Sequence, residues 1–77
     1  MPHITIKMLQ GRTEEQKTLA AEKVADALVD AIGCSPNHIS VSVEEYTPTE
    51  WQDVYQQEVT EGKHIYKEPH YDPKDVL

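Results

Sequence analysis

The chain has 77 residues, with 7 lysines and arginines against 14 aspartates and glutamates, a formal net charge of −7, and one cysteine. That is room for a single small domain, residues 1–77, whose own core supplies little stability, so disulfides, metal or partner subunits are the usual supplements. The acidic balance argues against nucleic acid and against anionic membrane surfaces as partners. Lone Cys34 rules out an intrachain disulfide, suits a reducing cytoplasm, and reads as a small buried or half-buried apolar residue. His3, His38, His64 and His70 form no ligand spacing, so no metal and no cofactor is expected. Association of copies is then the expected route to stability. No apolar run is long enough for a signal peptide or a membrane span, and a cytoplasmic location is expected.

The first element is a strand. In "HITIKM", residues 3–8, Ile4, Ile6 and Met8 face one way and His3, Thr5 and Lys7 the other, the period-two pattern of a strand with one covered face. "LQGR" turns the chain, and "TEEQ" is a capping box in which Thr13 and Gln16 bond reciprocally. The helix predicted over Glu14–Ile32 places Ala20, Val24, Ala27, Leu28 and Ala31 on its packing face. Its five alanines keep that face thin, so the helix can lie close on a sheet. Gly33 ends it and Pro36 prevents continuation.

"HISVSVEE", residues 38–45, alternates again, with Ile39, Val41 and Val43 opposed to Ser40, Ser42 and Glu44. A helix of this length between two strands predicts a parallel pair with a right-handed crossover. A second helix is expected with Thr49 as its cap, carrying Trp51, Val54, Tyr55 and Glu58–Val59 to about Thr60. The core thus covers residues 2–60, and residues 61–77 read as an irregular arm lying on a neighbouring subunit. Two strands are half of a sheet, which a two-fold partner would complete to four.

Pro2 stands at the entrance to the first strand and has two readings. Proline is tolerated at the first residue of a strand, where no ladder donor is needed. Alternatively, trimming of Met1 leaves Pro2 with a free secondary amine, a rigidly held base and nucleophile. Arg12 taken by itself reads as a surface residue at the helix start.

Pro2 opening a strand, "LQGRTEEQK" at the turn into the helix, and a second strand leading to an aromatic at position 51 together resemble the 4-oxalocrotonate tautomerase family, over roughly residues 2–55. The long arm is similar to that of the dimeric, phenylpyruvate-tautomerase-like branch. The resemblance implies an α+β chain with the β-α-β tautomerase fold, of the macrophage migration inhibitory factor type. Subunits would pair into a four-stranded sheet with the helices on one face. It also implies roles: Pro2 as general base once Met1 is gone, Arg12 as the fork that binds a substrate carboxylate, and Trp51 as the aromatic that keeps the pocket dry. Ile39 would add apolar surface. Ser40 holds the place where hexameric members carry a second arginine, which disfavours dicarboxylate substrates.

The chemistry suits these residue types. A keto–enol tautomerase removes a proton beside a carbonyl and returns it elsewhere, so its base must be unprotonated near neutral pH yet able to give the proton back. An α-amine ordinarily titrates at about 7.7–8.0, a prolyl amine is more basic, and an apolar pocket with a cation nearby lowers it. The expected activity is therefore a cofactor-free isomerase for small 2-keto or 2-hydroxy-enoic monoacids such as phenylenolpyruvate. The expected assembly is a homo-oligomer, a dimer in preference to a hexamer. One alternative is a hydratase or dehalogenase on the same scaffold, with Glu50 or Asp53 activating water. Another is a catalytically inactive acidic oligomeric binding module.

Overall fold

The computed structural model describes residues 1–77. The elements, in chain order, are strand β1 (His3–Leu9), helix α1 (Glu14–Ile32), a 3-10 turn at Pro36–His38, strand β2 (Ser40–Tyr46), helix α2 (Pro48–Tyr55) extended by one wide turn over Gln56–Thr60, and a closing 3-10 turn at Pro73–Val76. They group into two compact units: Met1–Lys7 with Gly11–Glu44, and Met8–Gln10 with Glu45–Leu77.

β1 and β2 form a two-stranded sheet. The Ser40 amide donates to the Pro2 carbonyl at 3.2 Å, and the Gln10 amide donates to the Tyr46 carbonyl at 2.9 Å. Numbers rise together on both strands, so the pair is parallel. Stepping both strands by two from the first bond reaches the second, so the register is unbroken. The alternation read from the sequence placed both strands; β2 starts later than expected because Ser35 caps a 3-10 turn that takes up Pro36–His38.

In the first unit α1 begins as its sequence dictates. Thr13 Oγ1 accepts from the Gln16 amide at 3.1 Å, and the Thr13 amide donates to Gln16 Oε1 at 2.9 Å. Gly33 ends the helix in the left-handed conformation, φ 72°. The half-buried stripe runs through Lys17, Ala20, Ala21, Val24, Ala25, Leu28 and Val29. Ala27 and Ala31, expected on that stripe, are exposed. Each residue turns about 100° round the helix, so Ala27 sits a quarter-turn and more away from Leu28, on the solvent side. Val43 of β2 lies in one shallow groove with Glu14, Lys17, Thr18 and Ala21, which puts α1 over the face of the sheet that carries Val43.

In the second unit the cap of α2 is Thr47 and not Thr49. Thr47 Oγ1 accepts from the Glu50 amide at 3.2 Å, and the Thr47 amide donates to Glu50 Oε1 at 2.8 Å. Pro48 fills the first helical position, where a missing N–H costs nothing. The arm, residues 61–77, packs on α2 of its own chain. The Gln52 side-chain amide donates to the Pro73 carbonyl at 2.9 Å and to the Pro48 carbonyl at 3.2 Å. Tyr71 meets Tyr55 edge-on, with ring centroids 5.4 Å apart.

Gly62 allows the chain to leave the wide turn. A Cβ there would run into the Glu58 carbonyl oxygen and lie 3.0 Å from Ile65 Cδ1. Gly62→Ala is therefore expected to destabilise the protein by about 1–3 kcal/mol, the usual cost of overpacking. A lowered urea midpoint checks this, and an unchanged midpoint would mean that the turn opens freely.

No side chain of the single chain is buried. Leu19, Ile32, Tyr66 and Leu77 stand among its exposed large apolar residues. No helix is long and apolar enough to cross a membrane.

Candidate active site

The sheet register brings three of the expected site residues together. Pro2 is half-buried at the head of β1, and its carbonyl is held by the Ser40 amide. Ile39, also half-buried, is the residue before Ser40 and links the 3-10 turn to β2. A parallel pair aligns the starts of both strands, so Pro2, Ile39 and Ser40 share one end of the sheet.

His3 belongs to this cluster as well. Its Nδ1 is 2.6 Å from Ser40 Oγ, and its Nε2 is 3.3 Å from Ser42 Oγ. Ser42 in turn donates to Thr5 Oγ1 at 3.3 Å. The side chains that alternation assigns to the polar face are thus joined by hydrogen bonds. Alternation identified the face but not this bridge, because pairing depends on register, which the sequence fixes only through both strands at once. His38 ends the 3-10 turn with its amide on the Ser35 carbonyl.

Arg12 stands at the opposite end of the sheet. β1 spans seven residues, which at a rise of about 3.3 Å each carries the chain about 23 Å. Arg12 follows that climb, exposed, one residue before the Thr13 cap. Pro2 and Arg12 therefore flank β1 at its two ends.

Trp51 lies in the second unit, on the first turn of α2. Its ring is tilted against Tyr46, centroids 6.3 Å apart, and its Nε1–H donates to Tyr71 Oη at 2.9 Å. Tyr71 gave no signal in the sequence, since it lies 20 residues downstream in a segment without periodicity. Glu50, a candidate for activating water, is occupied in the α2 cap. Asp53 is exposed on the same helix. Cys34 is half-buried, as expected.

A parallel strand pair headed by proline and bridged by one capped helix defines a small β-α-β chain with the 4-oxalocrotonate tautomerase fold. The tautomerase enzyme family model matches residues 2–53, and the chain belongs to that family. It is similar to a probable tautomerase of Xylella fastidiosa (strain 9a5c), 34% identical over 73 residues that cover 92% of this chain and 89% of the relative. It is also similar to the 2-hydroxymuconate tautomerase of Bacillus subtilis (strain 168), 49% identical over 45 residues, 58% of this chain and 73% of the relative. Among solved structures, YwhB, a homologue of 4-oxalocrotonate tautomerase, superposes with a TM-score of 0.59 at 45% identity, covering 61% of this chain and 77% of that one. The chain is accordingly an enzyme, a tautomerase among the isomerases.

Proposed function

We propose that the protein ketonises small 2-hydroxy-enoic monoacids such as phenylenolpyruvate, with Pro2 as the general base after Met1 is removed. The observation that carries this reading is the place of Pro2: at the head of β1, half-buried, and fixed through its carbonyl to Ser40. The prolyl ring and that bond hold the nitrogen in one position. The amine takes the enol proton and then delivers a proton to carbon, so one group serves as base and acid. The Pro2 amine suffices for that transfer, and the reading calls for no cofactor.

Arg12 supplies the carboxylate fork through two parallel charge-assisted hydrogen bonds. Because Pro2 and Arg12 occupy opposite ends of β1, the fork at one proline comes from Arg12 of a second subunit. Trp51 and Ile39 supply apolar surface for the tail of the acid, and Ser40 a neutral hydroxyl. Intact mass of the natively produced protein tests the first requirement: a chain starting at Pro2. Steady-state ketonisation of phenylenolpyruvate without added metal tests the second. Retained Met1 would contradict the reading.

The assembly follows from the same surfaces. The chain exposes 6016 Å², against roughly 4,800 Å² for a compact monomer of its mass by the usual scaling, so a partner has surface to cover. The sheet face bearing His3, Thr5, Ser40 and Ser42 presents hydrogen-bonded polar groups, a poor surface for stacking three dimers. A symmetric dimer in a reducing cytoplasm is the expected state. Light scattering at micromolar concentration checks it; a mass of six chains would contradict it.

A further inference from the structure

We propose that Tyr71 is a positioning residue for Trp51, which makes the C-terminal arm part of the substrate site. This rests on the reading of Trp51 as the side chain that meets the apolar tail of the acid. An indole N–H can only donate, and a half-covered tryptophan is held in one orientation when that donor has a partner. Here the partner is the Tyr71 hydroxyl, 2.9 Å away and 20 residues further along the chain. The indole also lies against Tyr46, ring centroids 6.3 Å apart and tilted by 55°.

Tyr71 is itself held from two sides. Its ring stands nearly perpendicular to that of Tyr55, at 78°. Immediately after it, the side-chain amide of Gln52 fastens the arm at the Pro73 carbonyl, and Asp72 closes the last turn by accepting from the Lys74 amide at 2.9 Å. Gln52 is the residue next to Trp51 on α2. One helix turn therefore carries both the side chain to be oriented and the clamp that brings its orienting hydroxyl into place. An aromatic wall fixed in advance spends less of the substrate's binding on ordering it. The arm should then affect capture of aryl acids and leave proton transfer alone.

The test uses Tyr71→Phe in the full-length chain, which keeps the ring on Tyr55 and deletes only the hydroxyl. Trp51 is the only tryptophan, so intrinsic fluorescence reads it directly. With the far-UV circular dichroism unchanged, the emission maximum should move to longer wavelength and the anisotropy should fall. KM for phenylenolpyruvate should rise about three- to ten-fold, the worth of one lost hydrogen bond, with kcat held and KM for a short alkyl enol acid changed less. Unaltered emission and anisotropy would overturn the positioning role whatever the kinetics. Trp51→Phe separates the two claims. If it raises KM for the aryl acid while Tyr71→Phe does not, Tyr71 is overturned and the reading of Trp51 stands. If neither variant changes KM, the reading of Trp51 fails and takes the proposal with it. Should Tyr71→Phe lose helical signal, Gln52→Met, which releases the Pro73 carbonyl, should give the same shift in emission; no shift would overturn the proposal.

Discussion

Replacing Pro2 by alanine is expected to lower kcat/KM for ketonisation of phenylenolpyruvate by roughly 10²- to 10⁴-fold, the usual contribution of a positioned general base. Alanine after Met1 removal still offers an amine, so the loss is not that of the nitrogen. It is the loss of its placement. The pyrrolidine ring fixes φ and joins the nitrogen rigidly to the strand whose first carbonyl is bonded to Ser40. A primary amine on a freely rotating bond has a different basicity and no fixed direction. The loss should therefore come with a displaced pH optimum, and kcat should fall along with kcat/KM, as expected for an interaction realised in the transition state. Full activity with an unchanged pH profile would mean that Pro2 is not the base.

Substitution of Arg12 by alanine should cost about 100-fold in kcat/KM for a monoacid. Hydrogen bonds to charged groups contribute about 1.5–3 kcal/mol each, and tenfold corresponds to about 1.4 kcal/mol. The same arithmetic sets the substrate preference. A second carboxylate at the far end of the acid would meet Ser40, whose hydroxyl is neutral and already engaged with His3 at 2.6 Å, in a chain with seven excess negative charges. Ser40→Arg should accordingly raise turnover of a dicarboxylate dienol about tenfold more than that of a monoacid. It would also break the His3 bridge, so some stability should be lost with the gain. Steady-state kinetics on one substrate of each kind decides the matter. Equal efficiency on both in the unmutated protein, or no selective gain in Ser40→Arg, would mean that another cation occupies the second carboxylate site.

How much of this was legible in the sequence depends on the range of the interactions. The Glu14–Ile32 helix was readable to the residue because its start and stop are local: a capping box at Thr13–Gln16 and a glycine at position 33. The same logic, applied fully to "TPTE", would have placed the second cap at Thr47, with proline at the first helical position and glutamate at the third; fixing on Thr49 passed over that box. Strand alternation gave the two faces of the sheet. It could not give the His3–Ser40 bridge, which joins positions 37 residues apart. The arm was the least legible. It has no periodicity, and Gln52, Tyr55 and Trp51 of its own α2 hold it through single long-range contacts that no local pattern announces. For the site, the candidate residues came from the family resemblance, and it is the register of the two strands that puts Pro2, Ile39 and Ser40 at one end of the sheet. The separation of Pro2 from Arg12 follows from the length of β1, and it is the reason for proposing that the fork comes from a second copy.

The central claim is that the Pro2 nitrogen acts as a free amine, and a chain of 77 residues is short enough for total chemical synthesis in two forms that differ only there. One form begins at Pro2; the other keeps Met1, which makes the same nitrogen an amide with no basic lone pair. Both are refolded, confirmed to have their own expected masses, matched in circular dichroism, and assayed for ketonisation of phenylenolpyruvate. The form beginning at Pro2 should be active, and the form keeping Met1 should be slower by at least about 100-fold. Equal kcat/KM in the two forms would contradict the account.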